Sequence, residues 1–125
     1  MRKLAILAFD DFIMSATTVY TPQSLNDVLG MYDKLTAQVV CDGFTGSAHQ
    51  IAVAIEYSVD QRNWIAKAGS AMIPAASVSV ATPSLVGGDT SSVGNLAYVR
   101  LAITLSGTTP TLHCKLWVTG RDTVA

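Results

Sequence analysis

The side chains able to do chemistry are few and scattered. Cys41 and Cys114 are the two cysteines, far from any Cys-x-x-Cys spacing, so a thiolate zinc site is not expected. Both fall at alternating positions that point inward, where cysteine behaves as a small buried hydrophobe. If their strands are neighbours the sulfurs come within bonding distance; with no secretion signal in view, free thiols are expected. His49 and His113 stand apart from other good ligands, and His113 is expected to face outward. Asp42, Asp60 and Asp89 each lie among turn residues, where a carboxylate satisfies backbone donors, and the EF-hand spacing is absent. No Gly-x-Ser-x-Gly elbow accompanies the serines. Neither catalysis nor a metal or other cofactor is expected.

Recognition is better served than reaction. On the strand 51–58 the outward residues are Ala52, Ala54, Glu56 and Ser58; elsewhere they are Val40, Tyr98, Arg100, Ala102, Lys115 and Trp117. Small residues around a Trp, a Tyr and an Arg are typical of a protein contact, because those three types supply much of interface energy. Trp117, Tyr98, Arg100, Val40 and Lys115 are therefore the candidate interface residues. Two other uses of the same side chains stand beside this one. Trp117 could be covered by the chain's own loop 82–95, and the aromatic–arginine trio could stack on a sugar or a base.

These residues are positioned by strands. From Leu96 to Gly120, Val99, Leu101, Ile103 and Leu105 share one face, as do Leu112, Cys114, Leu116 and Val118, the period of two that a half-buried strand requires. Ser106–Pro110 between them predicts a β-hairpin. Leu35, Ala37, Val39 and Cys41 alternate in the same way, as do Ile51, Val53, Ile55 and Tyr57, with a glycine-rich reversal expected at residues 42–47. Residues 3–9 and 12–20 read as strands with Asp10-Asp11 at the bend, and residues 64–68 and 71–81 as weaker ones, Pro74 placing the latter at an edge. Residues 21–30 form either a short helix, begun at Thr21-Pro22 and stopped at Gly30, or an extended loop. Residues 58–63 are a polar turn, 82–95 the one long loop, and 120–125 a polar tail. Seven or eight short strands with at most one short helix predict an all-β fold, an antiparallel β-sandwich of jelly-roll type.

The composition bounds what such a fold does. The 125 residues are expected to form one domain, with residues 1–15 an arm or edge strands. The formal net charge is -1, which argues against a nucleic-acid partner. No apolar run is long enough to span a bilayer, and the apolar start after Met1-Arg2-Lys3 is cut short at Asp10, so synthesis in the cytoplasm is expected. Half the residues are hydrophobic and only 14% are charged, against about 25% in an average soluble protein. Either Ser, Thr and Ala fill the surface, or part of it is hidden against another chain; the second predicts a homo-oligomer or an assembly subunit.

Two fragments are distinctive together: Glu56-Tyr57-Ser58-Val59-Asp60-Gln61-Arg62-Asn63-Trp64 and Tyr98-Val99-Arg100-Leu101, with Leu116–Arg121 closing the span. They resemble small β-sandwich structural proteins of tailed bacteriophages, the head decoration or cement type. That resemblance implies a non-enzymatic virion protein that binds capsid protein or copies of itself. The same fragments resemble discoidin-like galactose-binding domains, although Gln61 stands where that turn has glycine. This second likeness implies a carbohydrate- or ligand-binding module. A third expectation is the main coat protein of a small virus.

Overall fold

The computed structural model describes residues 3–89 and 95–121. Along the chain come β1 (Lys3–Ile13), β2 (Thr17–Tyr20), a 3-10 turn (Gln23–Leu25), α1 (Asn26–Gly30), β3 (Lys34–Ser58), β4 (Ile65–Ser77), β5 (Ser84–Gly88) and β6 (Tyr98–Arg121). All strand pairings among them are antiparallel. Their order is β1-β6-β3-β4, with β2 also on β6 and β5 also on β3.

β3 and β6 pair along their whole length, from Lys34 opposite Arg121 to Ser58 opposite Tyr98. The register slips between Asp42 and Gln50, where Gly43, Gly46, Ala48, Gly107 and Thr109 all have positive φ. Bulges of this kind bend a strand pair sharply. At Gly46 a Cβ would run into the carbonyls of Thr108 and Thr109, so only glycine lets the two backbones meet at the bend. The pair thereby supplies the centre of two layers. One layer is β1, residues 111–121, residues 34–45 and β5; the other is β2, residues 98–106, residues 50–58 and β4. The molecule is an antiparallel β-sandwich.

This corrects the two expected hairpins. Residues 96–120 are not two strands around a turn at 106–110, and residues 42–47 are not a reversal: each is the corner of one strand crossing between layers. A hairpin and a crossing strand leave the same trace, two alternating runs around a Gly/Pro break, because both keep one face of each run in the core. Counted as unbroken stretches, the described residues form six strands, because β3 and β6 each serve both layers. Asp10-Asp11 is no bend either; it lies inside β1, whose irregularity falls between Leu7 and Phe9. Residues 65–77 form one strand, β4, paired with β3 alone, which puts Pro74 on an edge as expected.

The alternation itself is borne out. Leu35, Val39, Ile51, Ile55, Leu101, Ile103, Leu112, Leu116 and Val118 are at most 1% exposed and form one core, each contributing about 1.5–3 kcal/mol of burial. The layers close laterally where Gly87 of β5 lies against the Met72 carbonyl of β4, leaving no room for a Cβ.

Residues 23–30 are helical, in two short turns. Thr21 does not cap them: its Oγ1 accepts from the Leu101 amide at 3.1 Å, and its own amide donates to the Leu101 carbonyl. Gly30 is not a left-handed stop but a close contact, its α-carbon packed on the Ala97 carbonyl. Residues 84–88, read as part of a loop, form β5, while residues 90–94 of that loop lie outside the described residues. So do residues 1–2 of the N-terminal span and residues 122–125 of the tail.

Candidate interaction surface

The outer face of the layer containing β1 and β5 follows from its register. Leu7 pairs with Trp117, Trp117 with Gln38, and Gln38 with Val86, so these four form one row across four strands. Neighbours across a sheet stand about 5 Å apart. The row is wet: Leu7 is 38%, Trp117 45% and Val86 66% exposed. Thr36, Ala37, Gln38, Val86, Trp117 and Thr119 line a shallow depression of about 250 Å3. To one side, Ala5, Thr119, Thr36 and Gly88 make a row of small residues. On the other, Asp10, Lys115, Val40 and Ser84 begin a polar margin.

Beyond that margin, His113 Nε2 lies 2.6 Å from Asp10 Oδ1 and its Nδ1 3.0 Å from Asp42 Oδ1, under the half-exposed Phe12 ring. Val40, Cys41, Asp42, Gly43, Phe44, Val80 and Pro83 line a second, mainly apolar hollow of about 340 Å3 at the corner.

The five candidate interface residues do not form one patch. Val40, Lys115 and Trp117 share the face just described. Tyr98 and Arg100 lie in the other layer, opposite Ser58 and Glu56. There the Arg100 guanidinium stacks between the Tyr20 and Trp64 rings, 3.9 and 4.4 Å from their centroids. Its Nε and Nη2 both lie 2.7 Å from Glu56 Oε1. A polar hollow of about 210 Å3 adjoins it, lined by Tyr20, Thr21, Gln23, Asn26, Gln61, Trp64 and Arg100. Asn26 Nδ2 donates to Gln61 Oε1 at 3.2 Å. Its Oδ1 is the buried side-chain acceptor left without a hydrogen-bond partner among the described residues.

Sequence reasoning missed Leu7, Val86 and Phe12. Leu7 is legible only through pairing, because the irregularity after it flips the side-chain alternation of β1. Val86 lies in a short segment whose Gly87-Gly88 pair gives it the sequence character of a loop.

The chemistry-bearing residues are otherwise engaged structurally. Cys41 and Cys114 face each other in register, free and buried. The hydrogen bond between them, with burial after it, pushes the Cys114 thiol above its ordinary range. Asp60 Oδ1 accepts from the amides of Arg62 and Asn63 and from Ser58 Oγ, and Oδ2 accepts from Asn63 Nδ2. The backbone amides of Asn63 and Arg62, then those side chains, hold its carboxyl well below the usual range. This is the turn expected at 58–63. No group of three or more metal-ligating side chains occurs among the described residues.

No protein-family model matches the sequence, and no curated protein matches it. Solved structures do. PBSX exported protein XepA superposes with a TM-score of 0.62 at 14% identity, over 98% of this chain and 38% of that one. A chain of infectious bursal disease virus, Gt strain, gives a TM-score of 0.58 at 12% identity, over 96% of this chain and 32% of that one. The chain thus spans less than two fifths of the length of either, and what it has in common with them is the β-sandwich fold.

Proposed function

We propose that this chain is a non-enzymatic structural subunit of a virus particle, a decoration or cement protein that sits on a capsid lattice and binds capsid protein or copies of itself. The observation that carries the reading is the exposed row Leu7–Trp117–Gln38–Val86 on a sheet face. Exposed Leu7, Trp117 and Val86 in a row that also holds Gln38, with small residues on one side and charged ones on the other, have the anatomy of a contact with core and rim. The low charged fraction agrees with it. Likeness in fold to a chain of infectious bursal disease virus supports it. On a lattice each contact can be weak, because symmetry repeats it and linked sites multiply affinity.

Mixing the purified chain with undecorated shells tests this reading. Co-sedimentation that is lost in Trp117→Ala supports it. A wild-type chain that stays in the supernatant and scatters light as a monomer overturns it. Closed particles formed by the chain alone would instead make it a main coat protein.

One observation favours a second reading, a carbohydrate- or ligand-binding module. Asn26 lines the polar hollow beside the Arg100 stack, and its buried Oδ1 has no hydrogen-bond partner among the described residues; buried acceptors without one are costly. This reading expects saturable glycan binding that Arg100→Ala abolishes and Trp117→Ala leaves intact.

A further inference from the structure

Lys67 is the largest fully buried side chain described, 1% exposed. Its Nζ donates to Asp89 Oδ2 at 2.6 Å and to Asn95 Oδ1 at 2.7 Å. The Lys67 and Asp89 side chains are both 0% exposed. The Asn95 amide is oriented from behind, its Nδ2 donating to the Tyr32 carbonyl at 2.6 Å. Three segments meet here: β4 of one layer, the end of β5 of the other, and the approach to β6.

A dry ion pair gains little over apolar packing, since desolvation of both charges offsets their attraction. Here the pair has, within contact distance, an amide with which the amine can react. The Asn95 carbonyl carbon is one C=O bond beyond Oδ1, and so within about 4 Å of Nζ, close to the spacing of a near-attack arrangement.

We propose that Lys67 and Asn95 become joined by an intramolecular isopeptide bond, formed by the chain's own side chains, with Asp89 as the acid–base group. The ammonium passes one proton to the Asp89 carboxylate. The neutral Nζ then attacks Asn95 Cγ, and the tetrahedral intermediate is stabilised by the proton that Asp89 holds toward Oδ1. A second proton moves from Nζ to Nδ2 by way of Asp89, the Cγ–Nδ2 bond breaks and ammonia leaves. The products are the Nζ–Cγ amide, a neutral Asp89 carboxyl group and ammonia; atoms and charge balance. The driving force is local: two buried charges are replaced by two neutral, hydrogen-bonding groups, and the departing ammonia is diluted into solvent. The bond clamps the edge strand β4 to the start of β6.

Mass spectrometry of the full chain tests this. The expected intact mass is below that of the sequence by one ammonia, about 17 Da. Trypsin acting on the denatured protein is expected to leave Lys67 uncut, giving the single peptide Asn63–Arg100. Asp89→Asn is expected to restore the full mass and cleavage at Lys67. If that variant does not fold, the wild-type measurements decide alone. A wild-type chain of full mass overturns the proposal. So does the same loss with Lys67 cleaved normally, which marks a succinimide at Asn95. A loss of one water instead, about 18 Da, places the bond on Asp89 and overturns the role given to Asn95.

Discussion

Trp117→Ala separates folding from assembly, and the structure gives both magnitudes. A Trp side chain buries about 150–250 Å2 when fully covered. At 45% exposure, about 90 Å2 remains for a partner, worth about 2 kcal/mol per contact at 25 cal/mol/Å2, or about thirtyfold in affinity. The covered remainder, about 110 Å2, is worth about 2–3 kcal/mol to the isolated fold. The variant is therefore expected to melt earlier but cooperatively, and to lose association by about thirtyfold at a temperature where both proteins are folded. Urea unfolding gives the first number, and sedimentation velocity over a concentration series, alone and with shells, gives the second. Val59→Ala is the control, since Val59 is 68% exposed but lies in the 58–63 turn away from the face. Equal losses of association in the two variants, or unchanged association in Trp117→Ala, would refute the reasoning.

Three further outcomes follow from the packing. Gly87→Ala puts a methyl group on the Met72 carbonyl, and urea denaturation should show a loss of about 1–3 kcal/mol, the usual cost of overpacking. Arg100→Ala removes the stack on Tyr20 and Trp64 and leaves Glu56 unpaired; the same assay should show about 1–2 kcal/mol, because the site is partly wetted. Asp60 has a depressed folded pKa, so its stabilisation is present above the unfolded value and lost as pH falls through the folded one. The difference in melting temperature between wild type and Asp60→Ala should be full at neutral pH and narrow progressively below about pH 4.

Alternation was legible because burial enforces it residue by residue: the inward sets at 99–105 and 112–118 are nearly solvent-free. The path of the chain was not, since a Gly/Pro break is compatible with a reversal or a corner, and only pairing partners decide between them. The 58–63 turn was readable from Asp60 and Asn63, whose bonds are local. Lys67 was invisible as a buried group, because its partners lie 22 and 28 residues away. The candidate face was half legible. Parity along their own strands turns Trp117, Lys115 and Val40 outward; Leu7 and Val86 join them only across strands. Tyr98 and Arg100 share that outward parity but lie in the other layer, and a sequence does not say which layer a strand segment occupies.

Because β3 and β6 each run unbroken through both layers, neither layer owns a complete set of backbones. Cutting the chain at the corner would yield halves whose central strands both lack their continuation, so the sandwich should melt in a single step, with no half-folded species surviving. The zipper between these strands begins with Ser58 beside Tyr98 and ends with Lys34 beside Arg121, so its ends must find each other across long stretches of chain. Topologies of this kind refold slowly, on the order of milliseconds to seconds.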